Sequence, residues 1–428
     1  MTELSAYPAY KASRAKWLGA VPEHWTISPL GQYFRQRTGA VSDSDFAALS
    51  VTKQGIVPQL ETAAKTDSGD RRKLVLAGDF AINSRSDRKG SSGISSHNGS
   101  VSLITTVITP HGLDSSFVHH LLRSEPFQEE YYRFGNGIVA DLWSTRYSQM
   151  KSISLAVPPL TEQRQIAEYL DRETGQIDAL ITKQEQLVET LTERRQAVIT
   201  QAVTRGLDPN VKLRASGLTW IASIPAHWLE LPFIRVAPER VDYRGATPTK
   251  TEDGIQLVTA RNVQSGRIDY ESSKEYIAVD DYNVVMRRGV PSLGDILLTM
   301  EAPLGNVAIV DRTDVAFAQR VVKFRLDPRI ALPEFVGHAM NSAYFQHELL
   351  SRATGSTALG IKASKLSELK IVIPPIDEQN RIAEFIGVQA GKIDRLTATA
   401  IAVVEVLKER RKALISAAVT GKIDVRGL

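Results

Sequence analysis

No cysteine occurs anywhere in the 428 residues. That absence excludes disulfides, thiolate-bound zinc, iron–sulfur clusters and thiol nucleophiles, and it fits a reducing compartment, so the cytoplasm is the expected location. Aromatic residues are scarce at 7%, and neither sign of charge dominates: 52 Lys and Arg against 48 Asp and Glu leave a formal net charge of +4. A strongly basic domain, the mark of a protein that grips nucleic acid by charge alone, is therefore missing. Long apolar runs are missing too. Nothing approaches the roughly 18 consecutive apolar residues of a membrane span, and Met1–Arg14 has no apolar stretch of signal-peptide length. No membrane or secreted protein is expected. Hydrophobic residues at 43% and charged residues at 23% are a globular composition, and at about 150 residues per domain the length predicts two or three domains.

Several kinds of chemistry are also missing. Gly135-Asn136-Gly137-Ile138-Val139-Ala140 has dinucleotide-loop spacing but follows Tyr131-Tyr132-Arg133-Phe134, which reads as a helix end, so the strand–turn–helix setting fails. Gly355 to Gly360 continues as Ile361-Lys362-Ala363, without the Gly-Lys-Ser/Thr of a phosphate loop. A methyltransferase acting on a flipped adenine needs an amide or acid beside two prolines, followed by an aromatic. Here both Pro-Pro pairs are flanked by Val157 and Leu160 or by Ile373 and Ile376. His119, His120, His338 and His347 have no metal-site spacing, and His24 and His227 sit beside Trp, where packing is the expected role.

What is present is a repeat. Val157-Pro158-Pro159-Leu160-Thr161-Glu162-Gln163 returns 216 positions later as Ile373-Pro374-Pro375-Ile376-Asp377-Glu378-Gln379. The same offset carries Ile177-Asp178 onto Ile393-Asp394, Glu193-Arg194-Arg195 onto Glu409-Arg410-Arg411, and Ala202-Val203-Thr204 onto Ala418-Val419-Thr420. Nearly half of the positions from Pro158 to Asp208 are identical in the second copy, which implies an old duplication. Arg71-Arg72 and Gly78-Asp79 also return, as Arg287-Arg288 and Gly294-Asp295, and a Trp-to-Trp motif at Trp17–Trp25 is echoed at Trp220–Trp228 with an offset of 203.

Glu162–Thr204 holds no proline and one glycine, with apolar residues at Ile177, Leu180, Leu187, Leu191 and Val198; Ile393, Leu396, Val403, Leu407 and Leu414 repeat the stripe. These are two long amphipathic helices, N-capped after Pro-Pro and stopped near Gly206 and Gly421, which are expected to bury their stripes against each other in antiparallel fashion. Gly175 and Gly391 predict a kink or a close helix contact at matching places. From Ile177 to Thr204 such a helix rises roughly 40 Å, close to the ~34–36 Å between successive major-groove faces of DNA, so the pair is expected to act as a ruler.

Residues 26–157 and 229–373 mix short β-rich runs (Ala47–Val51, Lys73–Leu76, Val101–Ile108; Gln256–Thr259, Asp295–Thr299, Asn306–Val310, Val321–Leu326) with one predicted helix each, near Ser116–Tyr132 and Pro333–Leu350. The fold class is α+β, two domains with twisted sheets and two long antiparallel helices in a pseudo-two-fold repeat. The predicted segments are 1–157, 158–206, 207–373 and 374–428. The loop Ser84–Gly93 joins mobile backbone to Arg85, Arg88 and Lys89 with Ser91 and Ser92, a composition that suits approach to a phosphodiester backbone and to a groove. Lys53 and Gln54 form a second candidate, and Asn136 with Arg146 and Tyr147 a third. The second domain offers Arg261 and Asn262; Met300, Glu301 and Asn306; Arg320; and Ser356 and Thr357 with Lys362 and Lys365. Glu162, Gln163, Glu378 and Gln379 are candidates for partner contact, with helix capping as the equal alternative.

The Trp17–Trp25 motif and its echo, the two Pro-Pro-x-x-Glu-Gln starts and the endings Glu193–Asp208 and Glu409–Asp424 together resemble the specificity (S) subunit of type I restriction-modification systems, over essentially the whole chain. The resemblance implies two target-recognition domains, each reading one half of a split double-stranded DNA sequence, and a non-catalytic chain. It implies two methyltransferase (M) subunits that carry S-adenosylmethionine, two ATP-driven restriction (R) subunits, and no cofactor in this chain, with S-adenosylmethionine, ATP and magnesium on the partners. Two other readings compete: a self-sufficient nuclease using Asp295, Glu301 and Asp311, for which the plain alternative is pairing of Asp295 with Arg287 or Arg288, and a coiled-coil adaptor that never touches DNA.

Overall fold

The structure, a computed structural model, describes residues 5–59, 71–137, 143–245, 247–355 and 359–427. Two long helices dominate: α3, Leu160–Arg205, and α6, Ile376–Val419, preceded in each domain by a helix pair, α1 (Ser115–Arg123) with α2 (Glu125–Arg133) and α4 (Pro333–Asn341) with α5 (Ala343–Leu350). The chain divides into two compact units that cut through both long helices. The first holds Met1–Glu185 and Ala402–Leu428; the second holds Gln186–Ile401.

Each unit is built on the same antiparallel sheet. In the first unit the order is Phe34–Gln36, Thr105–Pro110, Phe80–Asn83, Ser92–Ile94; in the second it is Glu239–Asp242, Val321–Arg325, Ile296–Met300, Leu304–Ile309. The central strands, Phe80–Asn83 and Ile296–Met300, are buried throughout, as continuous apolar runs require. A second, three-stranded sheet differs between the units. Gly99–Val101, Arg72–Val75 and Ala40–Val41 are all antiparallel, whereas Ile255–Val258 pairs antiparallel with Tyr276–Ile277 and parallel with Val315–Phe317. The halves thus share one layer and diverge in the other.

Each Trp-to-Trp motif folds as a hairpin, Tyr10–Ala12 with Ala20–Pro22 and Leu213–Ala215 with Ser223–Pro225, in equivalent registers. Its last Trp is buried, and Gly206 and Gly421 bring the helix ends against it. Both adopt positive φ (+74° and +70°), and a Cβ on Gly421 would stand 2.3 Å from Pro22. Only glycine meets both demands.

The single helix expected in each domain is instead two. Ser124 and Ser342 adopt extended backbone (ψ 144° and 156°), and their hydroxyls turn back to the carbonyls of Leu121 and Ala339. Ser124 also caps Phe127, and Pro126 opens α2, so the break follows from capping chemistry that a periodicity count passes over.

Within each unit the two long helices run antiparallel. Arg411 donates to both oxygens of Asp178 (2.8 and 3.1 Å), and 216 positions away Arg195 donates to Asp394 at 2.8 Å. The apolar stripe is only half used. Ile177, Ile393 and Leu191 are buried, but Leu180 and Leu396 remain 47% and 57% exposed, and Leu187 and Val403 are exposed as well. Gly175 and Gly391 face open space inside unbroken helices, so the expected close contact is absent.

Candidate nucleic-acid interface

In the first unit the strand Phe80–Asn83 runs into a turn of 3-10 helix at Ser86–Arg88, which projects Arg85, Arg88 and Lys89 outward. Three backbone links tie this turn to the segments singled out separately in the sequence. Ser144 bridges to both Arg85 and Asn136, Thr145 N–H donates to Ser84, and Ser86 N–H donates to Trp143. Arg123 Nη2 donates to the Lys53 carbonyl at 2.5 Å, which joins the Lys53–Gln54 turn to the same cluster. Lys53, Gln54, Arg85, Arg88, Lys89, Asn136 and Arg146 are exposed. Lys89 pairs with Glu129, whereas the Arg85 guanidinium has no partner among the described residues.

Other candidates serve the scaffold. Ser91 and Ser92 are buried at the start of a sheet strand, so they are corrected from the surface to the core of the turn. Tyr147 turns its hydroxyl inward, donating to the Phe34 carbonyl at 2.7 Å.

The second unit repeats the frame. Gly360 bridges to Glu301 and Thr354 as Ser144 bridges to Arg85 and Asn136, and Glu301 and Gly360 each lie 216 positions from Arg85 and Ser144. Ile361 N–H donates to Met300, and Met300 N–H to Arg320. Gln319 and Arg320 both hold positive φ (51° and 65°), as does Ala302 (41°), a concentration of backbone strain that non-glycine residues adopt only where the surroundings impose it. A cleft of about 140 Å³ opens beside them, lined by Lys250, Arg261, Glu275 and Arg320. Arg261, Glu301, Arg320, Lys362 and Lys365 are exposed.

Met300 and Asn262 are fully buried, a second correction. The Asn262 amide is spent on Asp269 and Ser273 carbonyls and its oxygen on Thr259. Asn306 binds Val263 at 2.8 Å and so holds the loop. Ser356 and Thr357 lie outside the described residues. Lys250 and Arg123 escaped the sequence reading because neither belongs to a Gly/Ser loop; comparison of the two copies residue by residue is the signal that finds Arg123.

The Glu-Gln pairs are turned inward. Glu162, 4% exposed, accepts from Tyr7 Oη (2.6 Å) and Trp25 Nε1 (2.9 Å) and meets His24 Nε2 (2.7 Å). Burial first, then that hydrogen bond, pushes the Tyr7 hydroxyl well above its ordinary range. Among the described residues Glu378 keeps only the histidine, His227 at 2.8 Å, and Trp228 Nε1 has no partner. Gln163 and Gln379 are buried and bind the backbone ahead of α1 and α4, at Asp114 and Leu332. All four side chains are thus engaged within their own units.

The acids suspected of metal chemistry are held elsewhere. Asp295 is buried against Arg325 (2.9 Å) and Lys323 (3.0 Å), not Arg287 or Arg288; Asp311 accepts from Tyr270, and Glu301 meets Arg320 at 3.3 Å. Among the described residues no group of three or more His, Cys, Asp or Glu is placed to hold a metal ion, and no helix is long and apolar enough to cross a membrane.

Residues 289–405, which contain Glu301, Arg320 and the start of α6, match the type I restriction modification DNA specificity domain. The relatives it matches are type I restriction-modification specificity subunits, and this chain is similar to them in sequence and in fold. It is 26% identical over 289 residues to the MjaVIII specificity subunit of Methanocaldococcus jannaschii, covering 65% of this chain and 64% of that one. To the EcoKI specificity subunit of Escherichia coli K12 it is 22% identical over 394 residues, 85% of this chain and 82% of that one. The EcoBI subunit of Escherichia coli is 27% identical, with this chain spanning 54% of its length. Thus two of these three curated relatives are matched over less than two thirds of their length. A chain from a type I restriction-modification assembly superposes with a TM-score of 0.71 at 14% identity, covering 93% of this chain and 98% of that one. The HsdS subunit of Thermoanaerobacter tengcongensis gives 0.52 at 15% identity, covering 94% and 98%. Both likenesses are of fold.

Proposed function

We propose that this chain is a specificity subunit that reads a two-part DNA target, one part through each unit, carries no catalytic centre of its own, and recruits two methyltransferase subunits and, in the larger assembly, two restriction subunits. One observation carries the reading: a matching pair of backbone bridges, Ser144 to Arg85 and Asn136 and Gly360 to Glu301 and Thr354, presents opposite charges at equivalent positions. A frame kept while its side chains change suits one task performed on different base pairs. Arginine pairs with guanine O6 and N7, and glutamate accepts from the cytosine amino group.

A net charge of only +4 gives this chain modest phosphate attraction, so partners complete the grip on DNA. The recurrence of exposed Leu180 as Leu396 at the offset of 216 favours the same partner docking twice.

The test is replacement of residues 26–157 by the corresponding region of a relative, followed by mapping of methylated adenines in cells that hold the partner subunits. One half of the recognised sequence should change. Change in both halves together overturns modular reading, and cleavage or methyl transfer by the chain alone overturns the non-catalytic assignment.

A further inference from the structure

The two copies disagree at one seam. Beside the Arg85 turn, the first unit contains a cleft of about 450 Å³ lined by Lys53, Lys89, Arg123, Arg411 and Lys412, together with Glu125 and Glu129. Three of the five cations are already paired, Lys89 with Glu129, Arg411 with Asp178 and Lys412 with Glu409. Arg123 and Lys53 have no carboxylate partner among the described residues. Arg123 is half-buried at the end of α1 and spends its donors on neutral groups, the Lys53 carbonyl and His119 Nε2 (2.8 Å). Burial first, and then the neighbouring Arg411, hold its guanidinium below the ordinary range, so two like charges confront each other in a partly dehydrated place.

The second unit shows that the fold does not require this. The residue before the helix break is Asn341 where the first unit has Arg123, and Gln196 stands 216 positions from Lys412. There neutral amides close the seam. Gln196 Nε2 donates to the Asn341 carbonyl at 3.0 Å, Asn341 Nδ2 donates to Gly337 at 2.8 Å, and Ser265 donates to Asn341 Oδ1 at 2.8 Å. Two neutral amides that tie the seam have become two cations that leave it open.

We propose that the cleft between α1 and the C-terminal part of α6 in the first unit is a phosphate site, with Arg123 and Lys412 as its principal ligands and Lys53 and Lys89 at its mouth. A guanidinium and an ammonium facing one cleft match a dianionic or diester phosphate, and an anion between Arg123 and Arg411 relieves their repulsion. Lys89 lies in the Arg85 turn, so the phosphate is that of the DNA backbone flanking the half-site read there. This assignment of source rests on the proposed function; the site itself does not. It fixes register and contributes no base preference.

The experiment replaces Arg123 and Lys412 with the residues the second unit uses, R123N and K412Q, in the full chain, with circular dichroism confirming the fold. For the chain with its methyltransferase subunits, DNA binding is measured against salt on preferred and scrambled duplexes. The double variant should bind both about tenfold more weakly and lower the magnitude of the log K against log salt slope by about 1, with sequence preference unchanged. Separately, inorganic phosphate added to the chain alone should raise the melting temperature of the wild type and not of the variant. Loss of the phosphate effect with no change in DNA binding overturns the DNA source and leaves a site for free phosphate. No difference between wild type and variant in either arm overturns the site. If the wild-type complex shows no sequence preference, the proposed function fails, and the phosphate arm still reads the site.

Discussion

Removing the charges at positions 85 and 301 separates base reading from general attraction to DNA. Arg85 is exposed and its guanidinium touches no protein group among the described residues, so R85A should change folding stability by no more than about 0.5 kcal/mol. Glu301 meets Arg320 at 3.3 Å with both side chains about half exposed (50% and 52%), a pair worth less than about 1 kcal/mol, and is therefore free to leave it for a base. A bidentate base contact carries about 1–3 kcal/mol of discrimination, which is roughly 5- to 150-fold. R85A should lose that discrimination at one base pair of the first half-site, and E301Q at one base pair of the second, with the opposite half-site untouched. Competitive selection from a randomised duplex library, with the methyltransferase subunits present, reads both halves at once. Uniform weakening across all sequences by R85A would place Arg85 on phosphate and refute the argument from the shared frame.

The buried carboxylate should betray the inequality of the two copies: E162A strands Tyr7 and Trp25 and should cost about 3–5 kcal/mol, whereas E378A, losing one half-exposed histidine, should cost less than about 1 kcal/mol; urea melts followed by hydrogen exchange in residues 7–29 and 213–232 compare them. Burial first, then Arg123 and Arg195 respectively, lowers the pKa of His119 and of His338 to about 4, against about 6.5 in the unfolded chain. Because the unfolded state then binds the extra protons, their contribution is fully present above pH ~6.5 and is lost as pH falls towards 4, on the order of 2–3 kcal/mol each, and H119Q with H338Q should flatten that slope in a pH series of thermal melts. Since Gly175 and Gly391 face open space, G175A and G391A should each stabilise the chain by about 0.5–1 kcal/mol in calorimetry; destabilisation by either would show a tight contact at that place.

The duplication was legible because identity at a fixed offset survives whatever the fold does with it, and the long helices were legible because 3.6-residue periodicity without proline leaves little choice. Their burial was not. Leu180 and Leu396 fit the same stripe as Ile177 and Ile393, yet a two-helix seam is narrower than the stripe, and the surplus apolar face stays exposed. Loop chemistry picked out segments that the backbone brings together, but not which of their side chains are exposed: Arg85 and Ser92 are close neighbours in one Gly/Ser run, but strand pairing at Ser92–Ile94 pulls the second inside. Met300 and Asn262 were misread because a register shift in the strand Ile296–Met300 and a tight turn closed on Thr259, Asp269 and Ser273 direct these side chains inward, which loop composition does not reveal. The Glu-Gln pairs could be recognised as helix starts; that they buckle each Trp-to-Trp hairpin to its helix depends on Tyr7 and His24, well over a hundred residues away.

The central claim, that two equivalent frames read two separate pieces of DNA, is tested most directly by a protection footprint of the full chain with its methyltransferase subunits on duplexes selected from a random library. The account predicts two protected, sequence-constrained segments separated by an unconstrained stretch, with R85A erasing constraint in one segment only. A single continuous segment, or protection without sequence preference, would contradict it.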